Sequence, residues 1–281
     1  MSMFRGAAVL LGAFSVGLAC VPLLGASEAG NAGDEIAQLR LQLERERAVN
    51  EVSNLMSTYT YLQFSDLQNE TANLYALKTP GVSVELPSGG AMVGGDHVKA
   101  FYAQSQKSTK PDGQFRLHPM QTPVIVVAGD GKTAKGVFLS LGAGANSIDD
   151  EGVWAWVRYG VDFIKEDGVW KIWHLHGFPI LSTSYSKSWT VSAKERAAGG
   201  GRGGPPGGGG GAPAGGSAGA PPGGGAPGGA GGPPPGGGGG GMMQPDRQDK
   251  EKMWEYNGKG LPPLQPALPQ PYETFDPATA Y

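Results

Sequence analysis

The sequence predicts an α+β fold: a cone-shaped, strongly bent antiparallel sheet closed by N-terminal helices, followed by a Gly/Pro-rich linker and an extended tail. Apolar residues recur at helical spacing early in the 281-residue chain, then at period two through four long segments. Helices first and an antiparallel meander after them is an α+β order. Gly136 and Gly160 fall in mid-run, where glycine marks bulges and sharp bends. A bent sheet closed on one side by helices makes a cone with an internal pocket.

The first helical stripe consists of Ile36, Leu39, Leu43, Val49, Val52, Leu55, Met56, Tyr59 and Leu62. Its first half, 38–47, is dense in Glu, Arg and Gln and is expected to project or to meet a partner helix; its second half packs on the core. Residues 66–77 read as a second helix with Asp66 as N-cap, stopped by Thr79-Pro80-Gly81. Residues 82–86 alternate as a short strand. Residues 96–106 form a third helix with Val98, Phe101 and Tyr102 inward. The long strands are 115–127, 133–143, 153–165 and 169–178, with hairpin signals at Gly129-Asp130-Gly131 and Glu166-Asp167-Gly168.

The flanks set the domain organisation. Residues 1–29 read as an export signal: Arg5, an apolar stretch over 7–24, and the small-residue site Ser27-Glu28-Ala29. Cleavage there leaves no stable membrane span and gives a periplasmic or secreted protein. The alternatives are an uncleaved N-terminal anchor or lipidation at Cys20, the one cysteine. A cleaved chain has no thiol for disulfides, nucleophilic attack or metal. The α+β domain spans 34–190. Between 199 and 241 stand 26 Gly and 9 Pro, which offer almost nothing to bury against their ordering entropy, so this reads as a disordered linker. The tail, 246–281, carries Trp254, Tyr256, Leu261, Leu264, Tyr272 and Phe275, enough apolar anchors to dock as an extended strap on the domain or on a second copy. A net charge of −3 argues against nucleic acid, whose binders carry a basic face.

Few side chains offer chemistry. There is no Gly-x-Ser-x-Gly elbow, P-loop or His-Glu-x-x-His. His97 sits on a polar helix face. His174 and His176 lie two apart on a strand, on the face expected for Trp170 and Ile172, and hence read either as a functional imidazole pair on the concave side or as hydrogen-bonded core histidines. No third ligand accompanies His-x-His, so neither metal nor cofactor is expected. His118 opens a strand. On 154–162, Trp154, Trp156, Arg158 and Asp162 share one face: an aromatic wall with an anion hook, or a packed outer face at a dimer interface. Tyr59 ends the helical stripe where a phenol faces the cone, and a Tyr close to a His is an acid/base pair.

A leading helix ending in Tyr59, the segment His118…Thr122-Pro123-Val124-Ile125…Gly129-Asp130-Gly131-Lys132-Thr133-Ala134, and Asp167-Gly168-Val169-Trp170-Lys171-Ile172 together resemble a SnoaL-like domain of the nuclear-transport-factor-two-like superfamily. Tyr159-Gly160-Val161-Asp162-Phe163 and Pro271-Tyr272-Glu273-Thr274-Phe275-Asp276 resemble one branch of it. The resemblance covers about residues 44–189 and the tail, and implies a cone that hosts polyketide cyclases, ketosteroid isomerases, dehydratases and non-catalytic binders. In the bile-acid and scytalone dehydratases a pocket Tyr and His work with carboxylates; Tyr59 falls on that tyrosine and His118 on that histidine. Phe64 stands where the family usually has an aspartate, with Asp66 the nearest acid, and Ser140-Leu141-Gly142 stand where a second is often found. The resemblance thus implies cofactor-free dehydration, isomerisation or cyclisation of a hydrophobic, carbonyl-bearing small molecule, a lyase or isomerase. In that reading His118 is base, Tyr59 donor, and His176 with His174 the second acid/base. Asp66, Trp156, Arg158 and Asp162 are the candidate substrate contacts. The alternative is a non-catalytic ligand-binding or dimerisation module on the same fold, and a homodimer is expected.

Overall fold

The computed structural model describes residues 25–87, 90–108, 113–198, 244–247, 255–260 and 262–281; most of the expected export signal, the whole linker, Trp254 and Leu261 lie outside them. The chain forms two compact units, 1–42 and 43–281. In the first, the described residues are the opening of helix α1 (Gly25–Phe64), with Ile36, Leu39 and Leu41 exposed.

The second unit is α+β. After α1 come α2 (Gln68–Ala72), β1 (Ser83–Leu86), β2 (Gly90–Val93) and α3 (Gly95–Ser108). Strands β3 (Phe115–Leu117), β4 (Gln121–Val127), β5 (Thr133–Ala145), β6 (Val153–Glu166) and β7 (Val169–Ser184) follow, then α4 (Trp189–Ala197). One seven-stranded curled sheet runs β2-β1-β7-β6-β5-β3, with β4 also on β5. The β6–β7 turn has Asp167 at φ 53° and Gly168 at φ 78°, the paired left-handed residues that match the twist of a two-residue hairpin. Val52, Met56 and Tyr59 of α1, Tyr75, Val98 and Tyr102 pack on the sheet face that carries Phe138, Tyr159, Val161, Phe163 and Leu175, and this is the core.

Four expectations need correction. The second helix is five residues, not 66–77, and Asp66 does not cap it: it sits at φ 55°, Leu67 is the N-cap without a side-chain bond, and the Asp66 carboxylate accepts from Arg116 Nη1 at 3.2 Å instead. The expected strand 115–127 breaks at His118-Pro119-Met120, where proline has no N–H for the ladder; β3 and β4 pair with different ends of β5. Strand β2 and helix α4 stand where no element was expected.

The fourth correction matters most for the site. Strand β7 carries a bulge at Trp173, because Phe163 pairs with Ile172 while the adjacent Asp162 pairs with His174. One extra residue turns the side chains that follow to the other face, here as far as a second bulge at Ile180. Leu175 therefore takes the core position, and His174 and His176 lie opposite Ile172, on the outer face, rather than beside it.

The described tail docks on its own chain. Arg247 bridges Ala91 of β2, and Tyr256 N donates to Ile180 O at 2.7 Å. Gly129 N and Asp130 N donate to Tyr272 O and Glu273 O at 2.8 and 3.0 Å. A Cβ at Gly160 would lie 2.7 Å from the Tyr281 ring, so glycine there leaves the space the tail occupies.

Candidate functional site

His118 and Tyr59 both lie on the core side of the sheet, His118 against Gly142 and Tyr59 in the core cluster. Residues 136, 138, 140, 142 and 144 of β5 pair with inward residues of β6 or continue that face. Arg116 pairs with Gly144, and two residues on His118 packs against Gly142, where any Cβ would collide with its imidazole and with Ala155 O at 2.6 Å. Thr60 Oγ1 of α1 donates to His118 O at 3.4 Å and accepts from Met120 N at 3.3 Å, fixing the strand break under the helix. His118 Nδ1 is buried with no hydrogen-bond partner among the described residues. Burial, and after it the charge of Arg116, lowers the imidazole to about 4. It is therefore neutral at physiological pH.

Tyr59 ends a buried phenol chain. The Tyr75 and Tyr102 hydroxyls lie 2.8 Å apart, and Tyr102 donates to Tyr59 at 3.5 Å. If Tyr75 donates to Tyr102, the chain points one way and leaves the Tyr59 proton for a further acceptor, each bond polarising the next. Burial first, then the neighbouring phenols Tyr102 and Tyr159, raises Tyr59 well above the ordinary tyrosine value, so it stays a donor.

The other expected site residues lie on the opposite face. Asp162 is fully buried: Lys135 Nζ donates to its Oδ1 at 2.8 Å, and His174 Nδ1 and Tyr281 N reach Oδ2 at 2.9 Å each. Lys135 also donates to Thr279 O at 2.6 Å and lies 4.8 Å over the Phe275 ring. His176 Nε2 is 3.6 Å from Glu85 Oε1, and Arg247 Nη2 donates to Glu85 Oε2 at 2.6 Å. Arg158 Nη1 donates to Pro263 O at 2.8 Å, and Trp156 lies 6.3 Å from Trp189 of α4. These residues hold the tail and α4. They do not join His118, whereas Asp66 comes near it through Arg116. Among the described residues no group of three or more His, Cys, Asp or Glu is placed to hold a metal ion, and no described helix is long and apolar enough to cross a membrane.

A family model of the SnoaL-like domain matches residues 44–176. Those residues are a SnoaL-like domain. No curated protein matches the chain in sequence. Among solved structures, the chain is similar to a candidate scytalone dehydratase of Novosphingobium aromaticivorans, at 15% identity and TM-score 0.45, covering 53% of this chain and 94% of that one. It is also similar to a hexachlorocyclohexane dehydrochlorinase of Novosphingobium barchaimii, at 14% identity and TM-score 0.44, covering 52% and 96%. A third similar structure is a candidate dehydratase of Streptomyces avermitilis, at 16% identity and TM-score 0.43, covering 49% and 99%.

The core face of the SnoaL-like domain holds more polar chemistry than His118 and Tyr59. Gln63 Nε2, Arg116 Nε and Ser140 Oγ are buried there without partners among the described residues. Sequence reading passed them over, although simple spacings point to them: Gln63 is four after Tyr59 on a helix, Arg116 two before His118, and Ser140 two before Gly142 on a strand. A neutral imidazole, a phenol and an amide on one apolar face can bind an oxygen function and exchange a proton with it.

Proposed function

We propose that the SnoaL-like domain binds a hydrophobic, carbonyl-bearing small molecule and moves a proton on it without a cofactor, in a dehydration, isomerisation or cyclisation. The observation that carries this reading is the unpartnered, buried Nδ1 of His118, kept neutral by its surroundings. A neutral imidazole takes a proton from the carbon next to the carbonyl. Tyr59 donates a hydrogen bond to the carbonyl oxygen as negative charge develops there. In dehydration the proton leaves with hydroxide as water; in isomerisation the imidazolium returns it to another carbon. His174 and His176 take no part, since their partners are Asp162 and Glu85.

The test is turnover of aryl β-hydroxyketones, followed by the near-ultraviolet absorbance of the enone. His118→Ala should lower the rate about 10²–10⁴-fold while ligand affinity stays within a few-fold. Equal loss of binding and turnover, or no loss of turnover, would overturn the catalytic assignment. A binding-only reading is favoured by one observation: Asp66, the acid nearest in sequence to the position where the family has its aspartate, is engaged by Arg116, and His118 Nδ1 has no partner among the described residues. Turnover by the wild-type chain decides between the two. Export is part of the same proposal, resting on Arg5, the apolar stretch 7–24 and Ser27-Glu28-Ala29. A mature chain beginning at Gly30 by mass spectrometry supports it; one that retains the first 29 residues overturns it.

A further inference from the structure

The opening of α1 carries an apolar stripe that no described residue covers. Every residue from Ala32 to Glu44 is exposed, and Ile36, Leu39 and Leu43 keep 50, 56 and 51% of their surface in solvent. Ala32, Ile36, Leu39 and Leu43 follow one another at spacings of four, three and four, so they line one side of the helix. This is not the core stripe carried on. The buried set on α1 is Ala48, Val52, Met56 and Tyr59, and at roughly 100° per residue its mean direction around the helix differs from that of the exposed set by about 175°. Two apolar sides on one helix call for two partners, and the core is only one of them. A helical stretch of about a dozen residues is marginal in water unless one of its sides is packed.

The charges beside the stripe point to what covers it. In heptad terms Ile36 and Leu43 stand at a, Ala32 and Leu39 at d, Glu35 at g and Arg40 at e. In two parallel helices a g residue meets the e residue of the next heptad in the other chain, so Glu35 of each copy faces Arg40 of the other. Gln42 at g then faces Arg47 at e with no like charges opposed. Antiparallel pairing would set e beside e and bring the arginines together. Isoleucine at a with leucine at d suits two strands. Over residues 32–47 four acids (Asp34, Glu35, Glu44, Glu46) outnumber three bases (Arg40, Arg45, Arg47), a balance that disfavours an anionic membrane surface. We infer that the opening of α1 pairs in parallel with α1 of a second copy, with 32–43 as the seam. The inference depends neither on a ligand nor on catalysis at His118. Glu46 and Asn50 take the next d and a positions, so the seam is short and the contact is of about micromolar strength.

Cysteine cross-linking of the full chain tests this, in a Cys20→Ser background that leaves no other thiol. Ile36→Cys and Leu43→Cys should each give a disulfide-linked homodimer under mild oxidation, because like positions face each other in parallel register. Gln38→Cys, equally exposed but away from the seam, should give about tenfold less. In sedimentation equilibrium Leu39→Glu should weaken self-association about tenfold or more, and Glu35→Arg alone about threefold. Adding Arg40→Glu to Glu35→Arg should restore it, since the pair is then reversed and not broken. All these side chains are exposed, so none of the substitutions disturbs the packed core. A chain that stays monomeric at about 100 µM, or equal cross-linking at all three positions, overturns the inference. So does a dimer indifferent to Leu39→Glu, which would associate through another surface, or a charge reversal that fails to restore association. Cross-links that form only between an Ile36→Cys chain and a Leu43→Cys chain would mean antiparallel helices and overturn it too.

Discussion

At His118 the imidazole is held in one charge state by where it sits. Its folded value of about 4 lies below the unfolded value near 6.5. Protonation therefore favours the unfolded chain: the stability contributed by the neutral ring is complete above about pH 6.5 and is lost as pH falls towards 4. Chemical denaturation at pH 7.5 and pH 5 should show a loss of about 2 kcal/mol from this residue, absent in His118→Leu, and equal losses in both proteins would refute the assignment. The same value sets the rate profile of the proposed base, flat above about pH 5 and falling through 4. Tyr59→Phe removes one donor and leaves Tyr102 without its acceptor. Turnover should fall about 10²-fold while stability drops by only about 1 kcal/mol.

Strand β5 is shaped around the segment it faces. Gly142 leaves room for the His118 ring, so Gly142→Ala forces either the imidazole or the Ala155 carbonyl aside. We expect a loss of about 1–3 kcal/mol in stability together with a fall in turnover, read by denaturation and by rate on the same preparation; a fully active, equally stable variant would contradict that packing. The long strands β5 and β6 and their turns were readable from sequence, because alternation and Asp-Gly or Gly-Asp-Gly signals are local. The register of β7 was not. Trp170 and Ile172 place His174 inward by counting in twos, and nothing in Trp173 itself announces a bulge; only pairing with Asp162 and Phe163 of β6 reveals it. His118 and Tyr59 were singled out by spacing and resemblance, whereas Gln63, Arg116 and Ser140 draw notice only once the fold shows their polar atoms buried without partners among the described residues. Asp66 looked like a cap because an acid before a helix does; a distant arginine claims it instead.

Across the whole chain, the sheet has one face for the core and the proposed ligand and another for the tail. Asp162 is the fixed point of that second face, bonded to Lys135, His174 and Tyr281 with no exposure. Asp162→Ala leaves the buried Lys135 with the Thr279 carbonyl but without its counter-charge and should cost about 3–5 kcal/mol by denaturation, while a cost under about 1 kcal/mol would show the cluster to be incidental. Gly160→Val should act through the tail alone, displacing the Tyr281 ring and exposing the 271–281 segment to protease. That segment is gripped by backbone atoms of Tyr272, Glu273, Thr279 and Tyr281 and by space left at Gly160, features a short peptide carries by itself. The domain is in this sense a receptor built with its own ligand tethered to it. A chain shortened to residue 270 should bind a synthetic 271–281 peptide from solution, with an affinity that measures how tightly the sheet holds what it normally meets at the high effective concentration of a tether.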